Sequence, residues 1–415
     1  MFYRGEVLMK SVKPMFLCLT LILFLSVLYK HQVDLDSGSG GLSEKLSGIS
    51  QTVSGAGADF VRILGISEPT TSAGEENSSR SDNTSGNSAT QGGSSGSGNS
   101  GQKNFIKWVD FQVTADAMAQ ALRYDVESYG QEPHYSWIQL LAWLGTKYGG
   151  DFSRYKQADL ENLIEKLKSG TSMETLTADS KYYPYYLEAY TAVLGGMVGT
   201  YEIQIPDQTT GEMVWTTKYG LKAFSPIAKN YPYQDYDDFG AARSYGFRRQ
   251  HLGHDFMGQV GTPVIAVESG YVEAIGWNQY GGWRLGIRSF DKKRYYYYAH
   301  LRKNYPYHKT LKEGSYVQAG DVIGYLGRTG YSATENTNNI DEPHLHFGMQ
   351  LIFDESQKDG NNEIWISCYE LARFLSANRS ETVKNQETKE YYRVCQMKDP
   401  VIPGGAVPQS ITEPQ

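Results

Sequence analysis

The apolar positions of this chain change period part-way along it. From Thr114 they recur every three or four residues, with Met118, Ala121, Leu122 and Val126 on one stripe, which is the spacing of an amphipathic helix. Ser136 is placed to cap a second, apolar stretch from Trp137 to Leu144 that ends at Gly149 and Gly150. Leu160, Leu163, Ile164 and Leu167 give a third helix stopping at Gly170, and Tyr185 to Val193 a fourth. Four short helices predict a small all-α domain over residues 105–200. Beyond it the period falls to two. Tyr201 to Pro206 and Met213 to Lys218 alternate around Thr210-Gly211, a hairpin signal. Short glycine-punctuated strands, including the run Tyr295 to Tyr298, continue to Leu351, as expected for a mainly antiparallel β domain over residues 201–398. Glu363 to Ala377 reads as an amphipathic helix on its outside, and the proline-bearing tail from Pro400, residues 399–415, reads as disordered.

The first hundred residues follow neither period. Residues 15–29 are apolar without a charge, and residues 1–14, with Arg4, Lys10 and Lys13 against Glu6, form a basic flank. That order predicts an N-terminal membrane helix whose positive side stays cytoplasmic, with the rest of the chain facing outward. No small-x-small site follows the run, which favours a retained anchor over a cleaved signal and a secreted product. Leu42, Leu46, Ile49, Val53, Phe60 and Leu64 give only weak helical spacing, and Glu68 to Gln102 is dominated by Ser, Gly, Asn and Thr. Such a segment buries too little apolar surface to offset its ordering entropy, so residues 30–104 are expected to be a flexible tether. About seventy residues of it would reach roughly 50 Å as a random coil. The fold class expected is therefore α+β and multidomain: a membrane helix, a disordered tether, a small all-α domain, then a mainly antiparallel β domain.

The formal net charge of −7 and a pI near 5.7 argue against a nucleic-acid partner, which demands basic surface. Three cysteines make no disulfide framework, although Cys368 and Cys395 would face the same compartment and pairing between them stays open.

The chemistry lies in the histidines. Six of the eight fall between His251 and His346. They occupy His251-Leu252-Gly253-His254-Asp255, Tyr298-Ala299-His300-Leu301 and Pro343-His344-Leu345-His346. A catalytic zinc takes about three nitrogen or carboxylate ligands and keeps a further position open; His251, Asp255 and His346 can supply that set. His344 and His346 project from one face of an extended strand. His251 and Asp255 are also an even number apart, and Gly253 between them removes a side chain where the metal must come close. The odd offset of His254 points it to the other face, and His308, beside Pro306, reads as a surface residue.

These motifs resemble those of the lysostaphin-type zinc endopeptidases, a family with the duplicated hybrid motif fold that cuts peptide crosslinks in bacterial cell walls. The linking phrases fit as well: Gly261-Thr262-Pro263-Val264, Gly270-Tyr271-Val272, Gly314 to Gly324, and Gly327-Arg328-Thr329-Gly330. The similarity covers residues 237–351. It implies zinc on His251, Asp255 and His346, with His344 and His300 acting on the water and on the transition state. His300 would donate to the oxyanion. One departure is the polar, asparagine-rich insertion Ser332 to Glu342. The expected partners are peptidoglycan peptides as substrate, the membrane through the N-terminal helix, and an envelope protein for the helical domain. Two rivals stand beside this expectation. One is a catalytically silent envelope module, which would lack one of the five groups; the other is a bifunctional wall hydrolase, since Glu127-Ser128 in a helix resembles the acid of wall-cleaving transglycosylases.

Overall fold

The computed structural model describes residues 105–244, 248–360 and 362–405. The expected membrane segment, the tether and the last ten residues of the tail lie outside them. Among the described residues no helix is long and apolar enough to cross a membrane.

The helical segment comprises α1 (Ala115–Ser128), α2 (Trp137–Tyr148), α3 (Gln157–Lys168), the short α4 (Met173–Thr177) and α5 (Tyr183–Leu194). Thr114 caps α1 through its side chain, which accepts from Ala117 N. Ser136 takes the capping position of α2 but makes no side-chain bond there. The donor at Trp137 N goes instead to the buried carboxylate of Asp125, 2.7 Å away, so one helix is capped from another. Asp125 is held in turn by Tyr219 OH at 2.6 Å and faces His134 at 3.0 Å.

The β part begins with the expected hairpin, β1 (Val198–Pro206) and β2 (Met213–Leu221). The main sheet contains β3 (Tyr233–Gln234), β6 (His254–Gly258), β8 (Gly270–Asn278), β9 (Gly282–Ser289), β10 (Arg294–Ala299), β11 (Tyr316–Val317) and β13 (His344–Leu351), in the antiparallel order β11-β8-β9-β10-β13-β6-β3. A short ribbon, β4 (Ala242–Ser244) with β5 (Arg248–Gln250), precedes β6, and β7 (Pro263–Ile265) pairs with β12 (Val322–Tyr325). In the tyrosine run Tyr296 and Tyr298 are fully buried on the core face, while Tyr295 and Tyr297 take the other.

Two expectations beyond Leu351 are corrected. Glu363 to Ala377 is not one helix: Ile364–Ile366 is a strand, β14, paired with β13, and only Tyr369–Leu375 is helical, as α6. Alternating Ile-Trp-Ile buries both isoleucines on the core face, which a helix could not do. Residues 400–405 are not a free tail, since Ile402 is buried and its N–H reaches Asp399 O at 3.1 Å. Cys368 and Cys395 are both free thiols, and burial pushes that of Cys368 up to about 12.

One continuous apolar core runs from Leu140, Leu141 and Tyr190 of the helices to Tyr298 and Phe347 of the sheet. Polar ties cross the same boundary. The α1 N-terminus gives Ala115 N to Glu370 at 2.7 Å. The fully buried Arg294 donates to Ala192 O at the end of α5 and to Glu268 and Asp291.

Candidate functional site

Strand β13 carries His344 and His346 on one face, as the period-two reading requires, and pairs His346 with Asp255 of β6. His251 comes from the turn before β6, held by its own N–H to Ala241 O and its carbonyl to Gly240 N. The three groups converge. His251 Nε2 lies 3.0 Å from His346 Nδ1 and 3.1 Å from Asp255 Oδ1, which is 2.9 Å from His346 Nδ1. Among the described residues this trio is the one set with metal-binding geometry.

Three lone-pair-bearing atoms so close together need a cation or proton among them. The edge of a tetrahedron with metal bonds of zinc–nitrogen length is about 3.3 Å, so the triangle has the size the ion requires. The surroundings fit too. His251 Nδ1–H donates to Asp238 at 2.9 Å, which leaves its Nε2 lone pair facing inward. Arg243 donates to the other oxygen of Asp255 at 3.1 Å and also holds Asp238. Burial opposes the Asp255 carboxylate, but the neighbouring imidazoles of His251 and His346 outweigh it and keep the carboxyl well below the usual range.

Gly253 has a different part from the one expected. Its backbone faces the His346 ring: a Cβ there would sit 2.5 Å from His346 Cε1 and 2.8 Å from Phe347 O. Gly253→Ala is expected to tilt that imidazole and weaken metal affinity by tenfold or more, on the order seen when ligand support is lost. Zinc titration of the variant checks it, and unchanged affinity would show the ring to have room.

His344 and His300 flank the trio, their rings 4.8 Å apart. His344 Nδ1 donates to Glu342 O at 2.8 Å, leaving Nε2 free of its proton and 3.9 Å from Asp255 Oδ2. His300 arrives by an unexpected route. Strand alternation after Ala299, which pairs with His346, would send His300 to the core face. Instead β10 stops at Ala299 and His300 takes φ +61°, turning the ring back toward the site. A left-handed residue with a side chain costs on the order of 1 kcal/mol, and the Gly327-Arg328-Thr329-Gly330 segment helps hold it. Thr329 O accepts from His300 Nδ1 at 2.9 Å, while the Thr329 hydroxyl ties to Leu301 O and Trp283 N. The expected donation from His300 to an oxyanion therefore requires a further proton at Nε2. With Nδ1–H spent on Thr329, neutral His300 presents a lone pair at Nε2, and burial followed by the charges of His344 and His346 holds its pKa well below the ordinary value.

Residues 249–359 match the sequence profile of peptidase family M23. That stretch is an M23 metallopeptidase domain. It is 41% identical over 124 residues to the L-Ala–D-Glu endopeptidase of Bacillus subtilis, covering 30% of this chain and 36% of that protein. It is 40% identical over 98 residues to the glycyl-glycine endopeptidase ALE-1 of Staphylococcus capitis, covering 23% and 24%. Against the peptidoglycan DD-endopeptidase ShyC of Vibrio cholerae it is 33% identical over 102 residues, covering 24% and 20%. The chain thus spans only about a third or less of the length of these relatives.

The other histidines of the M23 domain sort as follows. His254 points away from the trio, as its offset implies, donating to Asp235 at 3.0 Å beside Phe256. His308 is not on the surface; it is fully buried against Tyr392, near Glu390. Burial lowers the pKa of His300, His346 and His308 below 6.5. Each is then neutral when folded at a pH where it would bind a proton when unfolded, so stability falls as pH drops below about 6.5. The urea midpoint of the metal-free chain should be lower at pH 5.5 than at pH 7.5; equal midpoints would contradict this burial.

Asp238 and Arg243 were absent from the candidates drawn from sequence. Their signal is the acid run Asp235, Asp237 and Asp238 in an otherwise tyrosine-rich link just before His251. In the helical segment Glu127 is exposed on α1, next to the buried Asp125.

Proposed function

We propose that the M23 domain is a zinc endopeptidase that hydrolyses peptide bonds of bacterial peptidoglycan, and that this activity is the function of the chain. The observation that carries the reading is the convergence of His251 Nε2, Asp255 Oδ1 and His346 Nδ1 at 2.9–3.1 Å, with an outer carboxylate already orienting His251. These three residues would hold the ion. Bound there, zinc supplies Lewis acidity, acidifying water and polarising a carbonyl.

The chain's own groups do the rest. His344 Nε2, unprotonated and beside Asp255, accepts a proton from the attacking water as its oxygen bonds to the carbonyl carbon. It later delivers that proton to the departing amine as the C–N bond breaks. His300 presents a second lone pair to the same space and orients the water. Once a proton reaches either imidazole, that ring becomes a donor to the oxygen that has gained charge. The meeting of all five groups supports this reading over a silent envelope module, which would lack one, and the exposed position of Glu127 lends no support to a second catalytic centre.

The relatives' names divide among L-Ala–D-Glu, glycyl-glycine and D,D bonds, so membership of the family leaves the bond open. The basic flank and apolar run of residues 1–29 support an enzyme anchored in the membrane and working outside it. Digestion of purified wall with and without a chelator, followed by mass spectrometry of new amino termini, tests the activity. A wall left uncut by the zinc-loaded chain would refute it.

A further inference from the structure

The face of the sheet that carries the metal trio continues away from it, and that continuation has a charge pattern of its own. Across β6, β13 and β10 the residues Asp255, His346 and Ala299 stand level. The next strand extends the row. Leu285 of β9 pairs with Tyr298, so Arg284 stands level with Ala299, and on its far side it pairs with Gly276 of β8. Arg284 therefore shares the face of His346, two strands away, which is about 10 Å between Cα atoms. Its neighbours in the row are an alanine and a glycine, and the Tyr297 ring lies across the row between Arg284 and the trio, its OH accepting from Asn278 at 3.3 Å.

The floor beside this row is kept low. Tyr297 lies between Gly286 and Gly348, and its ring packs 6.0 Å from His346 and 6.2 Å from Trp365. A Cβ on Gly348 would meet Trp365 at 2.8 Å, and one on Gly286 would meet Tyr295 OH at 2.0 Å. The result is an aromatic floor with Arg284 at one side. The Nη1 atom of Arg284 is buried with no hydrogen-bond partner among the described residues. Its charge reaches both Tyr295 and Tyr297. Acids face this region as well: Glu273 pairs with Lys358 at 2.7 Å and keeps its other oxygen buried without a partner among the described residues, Glu363 accepts from Trp365 at 2.7 Å, and Asp359 is exposed near Tyr295. A buried guanidinium donor without an acceptor is costly, and a bound carboxylate is the group whose geometry satisfies it.

We propose that Arg284 is a specificity-determining residue that receives a carboxylate of the substrate, so the preferred substrate is an acidic stem peptide and not an uncharged glycine bridge. The proposal rests on the hydrolase reading above and deepens it. At roughly 3.3–3.6 Å per extended residue, a separation of about 10 Å between Arg284 and His346 puts the carboxylate within about three positions of the bond that is cut.

The test uses three probes: an L-alanyl-D-glutamyl stem peptide with its free α-carboxylate, the same peptide with that group as carboxamide, and pentaglycine. Dissociation constants are measured by calorimetry on the full zinc-loaded chain carrying His344→Ala, and turnover on the chain with His344 intact. The acid peptide is expected to bind about 10- to 100-fold tighter than the amide, the value of a charge-assisted hydrogen bond, and pentaglycine to bind no better than the amide. Adding Arg284→Gln should bring the acid-to-amide ratio close to one, and Arg284→Lys should retain part of it. Equal affinities for acid and amide in the chain with Arg284 overturn the proposal without recourse to any Arg284 variant, as does a ratio that Arg284→Gln leaves unchanged. The two readings fail separately. Preferential binding of the acid peptide with no wall bond cut would sink the hydrolase and keep the subsite; turnover of acid and amide peptides at equal kcat/KM would do the reverse.

Discussion

His344→Ala is expected to hold as much zinc as the native chain and to hydrolyse wall peptides about 10²- to 10⁴-fold more slowly, the range for losing a positioned acid–base group. The reason is geometric. His344 shares a face of β13 with His346 but is not one of the three groups whose lone pairs meet, and its Nδ1–H is committed to Glu342 O. Its Nε2 is thus left without a proton, which supports the acid–base role proposed for it. The loss should fall on kcat, since nothing in the position of His344 gives it a share in holding the peptide's ends. A drop in zinc content equal to the drop in rate would make His344 a ligand and displace this assignment.

The second large effect concerns stability. Arg294→Met is expected to destabilise the described unit by about 3–5 kcal/mol, the cost of leaving buried partners of a broken ion pair uncompensated. Arg294 is fully buried and binds Glu268 at 2.7 Å, Asp291 at 2.7 Å and the carbonyl of Ala192 at 2.8 Å. Removing it strands Glu268 in the interior and releases the last carbonyls of α5 from the sheet. Space for rearrangement is short, because a Cβ on nearby Gly196 would already overlap Glu268. Denaturant unfolding measures the effect, with Lys147→Met as the contrast: its half-exposed pair with Asp159 is of the kind worth at most about 1 kcal/mol. Similar losses for the two variants would show that Arg294 is not the tie between helices and sheet that its contacts describe.

How much of this was legible beforehand differs from one residue to the next. The trio was readable because its spacing obeys local rules: His344 and His346 follow strand alternation, and Asp255 pairs with His346 through the β6–β13 register. The helices were readable because their apolar stripes face a core. His300 was nameable from its motif, but its direction was not. Alternation sends it to the wrong face, and only φ +61° and the bond to Thr329 O bring it round. Arg284 was hidden for another reason. A single arginine in a strand carries no signal until strand order places it level with Ala299 and His346, and strand order is a long-range property. The same holds for His308, whose loop sequence suggested exposure although Tyr392, far along the chain, buries it. Ile364 to Ile366 failed differently: three residues are too few for a period to assert itself against the helix that follows, and pairing with β13 decides them.

The most direct measurement is zinc stoichiometry and affinity on the full chain and four single variants. One ion per chain is expected in the native protein and in His344→Ala. His251→Ala, Asp255→Ala and His346→Ala should each lose tight binding, since each removes one of three donors that meet at about 3 Å. Zinc held as tightly by any of those three variants as by the native chain would contradict the account.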